Sequence, residues 1–571
     1  MTKYTVANAL AAAMKRHGVE VVFEQSIPSA FVHALPGAGI KQVGYRTENA
    51  GGIMADGYAR ISNKVGVICA QNGPAATLLV APMAEALKAS VPMVAIVQDV
   101  PRNAVDRNAF QEFDHIALFH GCTKWARRVD RADRLDDYVD MAFAAATSGR
   151  PGPVALMVPM DFLREETTPQ ESRKANLGSF PLDRFSAAPD NIAEAADLLV
   201  AARKPLIIAG GGVHLSDAAS DVVALATASG IPVATTNMGK GVIAEDNPLA
   251  LGVFANNLVK GNRSAKVRDF LDDADVVLLI GTRTNQNGTD SWKTYPAGAR
   301  YIHLDIDPLE IGRNYEALRL TGDVRSTVRL LAEKMGTRRQ TDIAPIAERT
   351  KAAAVAVNEY VEQVGGGSNG KVRPEYLMKT LDPLLGPDDI VVADASYSSN
   401  WITSYLTAKK DGQRFLVPRG LAGLGWGMPM AIGAKIANPA SRVVALVGDG
   451  GFGHCWQELE TVRRLGIPIT VILLNNAILG FQYHAENVHY GFHSQSVDFN
   501  DVDHAAIARA CGCSGVRVNE PEQFDAAIRQ ALTSDVTTLI EVMTDLDAYP
   551  AISLFDGQPH DRVTTLQRVV A

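Results

Sequence analysis

Short apolar runs alternate with stretches of helical periodicity along almost the whole chain. SRVVALV (441–447) is apolar and β-branched and stops at Gly448-Asp449-Gly450, which predicts a strand closed by a tight turn. GHCWQELETVRRLG (453–466) then spaces Trp456, Leu459, Val462 and Leu465 as one face of a helix. IPITVILL (467–474) reads as a second buried strand, broken by Asn475-Asn476. Strand, helix, strand is a βαβ unit, whose two strands pair in parallel. Asp449 and Asn476, 27 positions apart, are therefore expected just past the carboxyl ends of adjacent strands. Open α/β sheets take their ligands at that edge.

The same alternation recurs upstream. IKQVGY (40–45) hands over to helix-like ENAGGIMADGYAR (48–60), and KPLIIAGGG (204–212), DADVVLLIG (273–281) and ARYIHLDID (299–307) read as further buried strands. The pattern predicts an α/β fold of mostly parallel sheets with flanking helices. It fails twice. EETTPQESRKANLGSFPLDRFSAAPD (165–190) gains Pro, Ser and charge, and near 338–372 a helical stretch gives way to the Gly-rich GGGSNGK. Three domains are expected: 1–170, 190–340 and 373–571, in keeping with a chain of 571 residues.

Composition narrows the function. Hydrophobic residues make up 47% of the chain, ample for buried cores, and the net charge of −8 argues against nucleic acid or an anionic membrane as partner. No stretch reaches the length of a membrane-spanning helix. The N-terminal MTKYTVANALAAAMKRHG is amphipathic and lacks the apolar core of a signal peptide. Five cysteines, with no second pair beside Cys511 and Cys513, suggest reduced thiols rather than a zinc site. A soluble cytoplasmic protein is expected.

The residues at the predicted edge suit a cation and a phosphate. Mg²⁺ takes oxygen ligands in near-octahedral order, few of them from side chains. Asp449 offers charge, Asn476 a neutral amide oxygen, and the backbone carbonyl of Ile478 a third ligand. Gly448, Gly450 and Gly451 let backbone N–H groups approach phosphate oxygens. A Gly-Asp-Gly turn alone is more often only a turn; the Asn pair placed across a helix reverses that weighting.

GDGGFGHCWQELETVRRLGIPITVILLNN resembles the cofactor motif of thiamine-diphosphate enzymes: acetohydroxyacid synthases, benzaldehyde lyase, 2-oxo acid decarboxylases and oxalyl-CoA decarboxylase. YRTENAGGIMADGYAR (45–60), NGPAAT (72–77), NAFQEFDH (108–115), TKWARRV (123–129), GRPGPV (149–154) and HLDIDPLEIGRN (303–314) resemble further segments of that family, in order. The resemblance implies a pyrimidine-binding, a central Rossmann-like and a diphosphate-binding domain. It implies thiamine diphosphate and Mg²⁺ as cofactors, and a homodimer or homotetramer with the site at the interface. FAD is left open, since GTRTNQNGT (281–289) lacks the Arg-Phe-Asp-Asp-Arg pattern of the FAD-binding synthases, and the Gly210-Gly211-Gly212 turn has a plain packing explanation.

By the same resemblance, Glu48 is the carboxylate that bonds N1′ of the aminopyrimidine, and a group with that task is expected to be shielded from water. Taken alone, it is merely a first-turn Glu. Gly73 and Pro74 match a cofactor-facing turn. The Ala422 carbonyl would accept from the aminopyrimidine amine, Leu424 would prop the coenzyme bent, and Ser398 and Ser399 would reach the diphosphate. Phe110 and Gln111 match a pocket-lining pair. Among His115, His120, His484 and His489, each more often a surface or core histidine, His484 is the best candidate to face substrate. VFEQSIPSA (22–30) departs from the family pattern, and a His-His pair near 113–115 is missing, so the substrate stays open.

The implied activity is acetolactate-synthase-like: decarboxylation of a 2-oxo acid and carboligation. The alternatives are a lyase of 2-hydroxy ketones or 2-hydroxyacyl-CoA, a simple decarboxylase, or a cofactor-binding homologue without catalysis. A nicotinamide dehydrogenase lacks its glycine fingerprint here.

Overall fold

Among the described residues, three six-stranded parallel sheets with flanking helices form the frame of the fold, as the alternation predicts. The computed structural model describes residues 4–169, 176–259, 262–336 and 343–554. Parts of the two expected linkers, 170–175 and 338–342, lie outside the described residues. The first sheet comprises β1 (Val21–Glu24), β2 (Lys41–Gly44), β3 (Gly66–Ala70), β4 (Met93–Asp99), β5 (Trp125–Arg128) and β6 (Pro153–Pro159), in the order β2-β1-β3-β4-β6-β5. The central sheet comprises β7 (Pro205–Ala209), β8 (Val233–Thr235), β9 (Ala250–Val253), β10 (Val276–Ile280), β11 (Arg300–Asp305) and β12 (Ala317–Thr321), in the order β12-β11-β10-β7-β8-β9. A hairpin of β13 (Gly367–Ser368) and β14 (Lys371–Val372) follows. The Gly-rich GGGSNGK at the expected boundary thus forms a two-stranded turn.

The third sheet comprises β15 (Ile390–Ala393), β16 (Phe415–Leu416), β17 (Val443–Gly448), β18 (Thr470–Asn475), β19 (Ser514–Val518) and β20 (Thr538–Met543), in the order β16-β15-β17-β18-β20-β19. Counted within each sheet, the first and third share one strand order, 2-1-3-4-6-5. Their connecting helices are therefore topological counterparts.

By contact the chain forms two compact units. One contains Met1–Asp183 with Pro418–Val443 and Cys455–Ile469; the other contains Arg184–Val417, Val444–His454 and Thr470–Ala571. In the first unit, all seven residues of β4 and of β6 are buried, the signature of a parallel sheet covered on both faces. Val22, Phe31, Val67, Ile96, Phe143 and Leu156 form its core, each worth about 1.5–3 kcal/mol when fully buried. The helix Glu48–Ser62, capped by Thr47, is buried from Ala50 to Arg60. It packs on the helix Gly427–Ala437 through two glycines. A Cβ on Gly57 would lie 2.3 Å from the Met430 carbonyl oxygen, and one on Gly433 would lie 1.9 Å from that of Met54. In the second unit, Leu206, Val277 and Ile302 anchor the core around the central sheet. Leu446, Ile472 and Ile540 anchor the core of the third.

The predicted helix over 453–466 is shorter than its periodicity suggests. A four-residue turn, Asp449–Phe452, precedes a break, and the helix runs Glu458–Leu465. Leu459 and Val462 are buried as expected, but Trp456 lies before the helix and is 39% exposed. The five cysteines form no disulfide, and among the described residues no helix is long and apolar enough to cross a membrane.

Candidate active site

In the second unit, β17 and β18 pair in parallel with Gly448 opposite Leu474. The register puts Asp449 and the Asn475-Asn476 pair at one carboxyl edge. Asp449 opens its turn after Gly448 and is buried. Burial pushes its carboxyl up to about 6, against the pull of the Gly450 and Ala477 N–H groups and the His504 ring. A Cβ on Gly450 would meet the Leu479 side chain at 2.7 Å and the Phe499 ring at 3.0 Å, so a side chain there would have to displace them. Gly451 is buried inside it.

The two asparagines have different tasks. Asn475 is buried; its amide donates to Glu541 Oε1 at 2.7 Å and its oxygen accepts from Ala477 N–H at 3.1 Å. That bracing holds Ala477 at φ 55° and leaves Asn476 half-buried at the edge. Ile478 is buried and bridges Asp498, but the flanking bonds, Leu479 N–H to Val497 and Phe499 N–H to Ala477, do not use its carbonyl. Glu541 also accepts from His504 and from Ala505 N–H, and these donors hold its carboxyl at about 2 in spite of burial.

Ser398 is buried, with Oγ 4.0 Å from the Cβ position of Gly448, at the same edge. Ser399 is fully buried, and its hydroxyl donates to the Ser396 carbonyl at 2.9 Å at the start of the helix. His484 is buried. Its Nδ1 shares a 2.6 Å hydrogen bond with the Tyr397 hydroxyl, and its ring stacks on Tyr549 at 3.9 Å. Burial pushes the Tyr397 phenol well above its ordinary range, so it stays protonated. Gly480 joins these groups, since a Cβ there would lie 3.1 Å from Asn476 Nδ2 and 3.5 Å from the Tyr397 ring. Sequence reasoning missed Tyr397 and Tyr549. Tyr397 adjoins the flagged Ser398; nothing local marks Tyr549.

The first unit holds the remaining candidates. Glu48 is the first residue of its helix and is half-buried, less shielded than expected, because it sits where the chain leaves the sheet edge. Beside it Tyr45 donates to the Cys69 carbonyl at 2.7 Å; burial, then the Glu48 charge, push its phenol well up. Gly73 has φ 65°, and a Cβ there would lie 2.8 Å from the Gln111 side chain. Its N–H donates to His115 Nε2 at 2.9 Å, and the next residue, Pro74, opens a short helix. His115 is thus a buried turn-holding residue. Gln111, at φ 61°, accepts from Gln71 at 2.8 Å and is half-buried.

Phe110 is 82% exposed, so within one chain it lines no pocket; its backbone carbonyl, with that of Gln111, ties the segment to Asn72. A neighbouring cleft of about 550 Å³ is rimmed by Asp99, Asp106, Glu112 and Asp114 against Arg128, a poor seat for a substrate carboxylate. In the segment 420–424, Ala422 is exposed at φ 62° and Leu424 is half-buried. The unusual loop after β1 is local in its bonding: buried Glu24 accepts from Ser26 N–H, with Ser26 at φ 65°.

Among the described residues, no three His, Cys, Asp or Glu side chains converge on a point. A cation at Asp449 would therefore have one carboxylate, with an amide oxygen and a carbonyl as candidate ligands and the rest of its shell left to ligand and water, a set that would suit Mg²⁺.

Comparison with known proteins identifies the family of the three domains. Residues 4–118, 192–331 and 394–542 match, respectively, the N-terminal TPP binding domain, the central domain and the C-terminal TPP binding domain of thiamine pyrophosphate enzymes. The chain is 31% identical to the "Probable acetolactate synthase large subunit" of Methanococcus aeolicus, over 98% of this chain and 94% of that one. It is 31% identical to the acetolactate synthase of Mycobacterium bovis, over 99% and 92%. It is 33% identical to the acetolactate synthase large subunit of Parasynechococcus marenigrum, over 94% and 87%.

Proposed function

The chain belongs to the thiamine pyrophosphate enzyme family, in its acetolactate synthase branch, and from that premise we propose that it is a thiamine-diphosphate-dependent carboligase acting on a 2-oxo acid. The observation that carries this reading is the buried carboxylate of Asp449 beside half-buried Asn476 at one sheet edge, in a chain matched over nearly its full length. When bound, the coenzyme supplies the carbon nucleophile and the electron sink for breaking and making bonds next to a carbonyl.

The protein's part is binding, orientation and proton placement. Asp449, Asn476 and the Ile478 carbonyl would hold Mg²⁺, and Gly448, Gly450, Gly451 and Ser398 would face the diphosphate with backbone and hydroxyl donors. Gly73 and Pro74 shape the turn on the aminopyrimidine side. Glu48 would hold a proton at N1′ of the aminopyrimidine, the Ala422 carbonyl would accept from its amine, and Leu424 would pack against the coenzyme. His484, joined to Tyr397, is the first candidate to exchange a proton with substrate, with Gln111 and Phe110 as further pocket residues. The proposal includes a homodimer or homotetramer in which one subunit supplies Glu48 and its partner Asp449; covering half-exposed Glu48 and exposed Phe110 is what such an interface would achieve. Domain limits of 1–170, 190–340 and 373–571 and a cytoplasmic location belong to the same reading.

FAD gains no support from the Gly210–Gly212 turn. A Cβ on Gly210 or Gly212 would come within 2.3 or 2.7 Å of Gly281, so packing alone accounts for these two glycines. A flavin absorption band in the purified protein would reverse that judgement. The central test supplies thiamine diphosphate, Mg²⁺ and pyruvate and measures CO₂ and a 2-hydroxy-2-oxoalkyl product. Turnover of benzoin or a 2-hydroxyacyl-CoA in place of pyruvate would move the enzyme to the lyases, and absence of saturable coenzyme uptake would remove the reading altogether.

A further inference from the structure

The helices after the third strands of the first and third sheets each bury one carboxylate completely. Glu85 on Val80–Ala89 and Glu458 on Glu458–Leu465 are both 0% exposed. Since both sheets share one strand order, the helices correspond, and so do the segments they hold. Glu458 accepts from Arg46 N–H at 3.1 and 3.2 Å and from Thr47 N–H at 3.1 Å, in the link between β2 and the helix that Glu48 opens. Glu85 accepts from Gly420 N–H at 2.7 Å, from Leu421 N–H and from Ala422 N–H at 3.2 Å, in the link between β16 and Gly427–Ala437. Each glutamate thus grips the link that belongs to the other repeat. All of these residues lie in one compact unit.

The link at Ala422 needs such a grip. Ala422 has φ 62°, a region costly for a residue with a Cβ and kept only where its surroundings enforce it. Consecutive N–H groups converging on one carboxylate impose the backbone angles as well as the position, and charge-assisted bonds are the stronger kind. The seat is close-fitting: a Cβ on Gly420 would lie 2.5 Å from the Glu85 carbonyl oxygen and 2.8 Å from its carboxyl carbon. Each carboxylate has further company. Thr461 donates to Glu458 at 2.7 Å, and Arg60, bound to Asp56, lies 3.7 Å from Glu85.

We propose that Glu458 and Glu85 are reciprocal positioning residues, Glu458 setting the angle at which Glu48 meets the coenzyme and Glu85 setting the carbonyl of Ala422. Neither touches the reacting atoms. The assignment rests on the roles given above to Glu48 and Ala422.

Full-length Glu458→Gln and Glu85→Gln proteins test it. Glutamine keeps the volume but turns one acceptor into a donor facing N–H groups. In the cofactor-free protein, Glu458→Gln is expected to speed amide hydrogen exchange about tenfold in peptides covering 44–48, and Glu85→Gln in those covering 419–424. With Mg²⁺ present, Glu458→Gln should bind thiamine diphosphate within about threefold of the parent yet slow exchange of its C2 proton about tenfold or more. Glu85→Gln should weaken coenzyme binding about tenfold while inorganic pyrophosphate binds as before. Parental amide exchange, coenzyme affinity and C2 exchange in both variants would overturn the proposal. If a glutamine variant unfolds, Gly420→Ala and Thr461→Val, which keep both carboxylates, decide by the same readouts. A parent protein that takes up no thiamine diphosphate would overturn the family-site reading instead, while amide exchange would still report on the two grips.

Discussion

The first and third sheets share one strand order, yet their third strands end in opposite chemistry. β3 runs into Asn72-Gly73-Pro74, where the polar groups are satisfied within the fold: Gly73 N–H on His115, the Asn72 amide on two carbonyls. β17 runs into Gly448-Asp449, where burial leaves a carboxylate with its pKa raised to about 6. At the second edge burial outweighs the donors that Asp449 has, and a divalent cation would supply the missing charge. Glu541, on β20 of the same sheet, sharpens the point. It too is buried, but its donors bring it to about 2. A buried carboxylate surrounded by donors is architecture; one short of them is poised for a ligand.

The largest test of this contrast is Asp449→Ala, expected to abolish Mg²⁺-dependent uptake of thiamine diphosphate by about a hundredfold or more in titration calorimetry. Uptake unchanged by that substitution would place the cation elsewhere. Glu48→Gln, on the first repeat, should keep much of the coenzyme affinity but lose about a hundredfold or more in turnover and in C2-proton exchange. A variant with near-parental turnover would strip Glu48 of its role. Gly73→Ala should cost about 1–3 kcal/mol in denaturant unfolding, since it meets both a left-handed φ and the Gln111 side chain at 2.8 Å.

The smallest effect is on acid stability. The Glu541 carboxyl lies below the ordinary range near 4.3, so the folded state binds fewer protons than the unfolded one between those values. Its contribution is complete above about pH 4.3 and is lost as pH falls through about 2. Unfolding free energies measured from pH 5 downward should therefore fall more steeply for the parent than for Glu541→Gln, with a difference on the order of 1–2 kcal/mol. Equal slopes would show that the Glu541 carboxyl is not depressed.

Local pattern carried most of the architecture. β17, β18, β7, β10, β11 and the helix Glu48–Ser62 all stand within three residues of their apolar runs, because burial on both faces of a parallel sheet demands such runs wherever they fall. The register that places Asp449 beside Asn475-Asn476 follows from the βαβ rule alone. Side-chain roles were less legible. Ser398 and Ser399 look alike in sequence, yet one faces the edge and the other closes a bond at the start of its helix. Trp456 keeps helical spacing with Leu459 but precedes the helix, since the turn at 449–452 breaks before it.

The sequence by itself determined the α/β class, the two motifs carrying Glu48 and Asp449, and the family, because periodicity and turn chemistry are local properties of consecutive residues. Tertiary structure alone decided which asparagine is braced and which is presented, which serine is consumed, and that Tyr397 joins His484. It also decided that Glu85 and Glu458 grip links hundreds of residues away. Whether a buried polar group is satisfied depends on donors brought to it from other elements, and no spacing along the chain encodes that meeting until the sheets have formed.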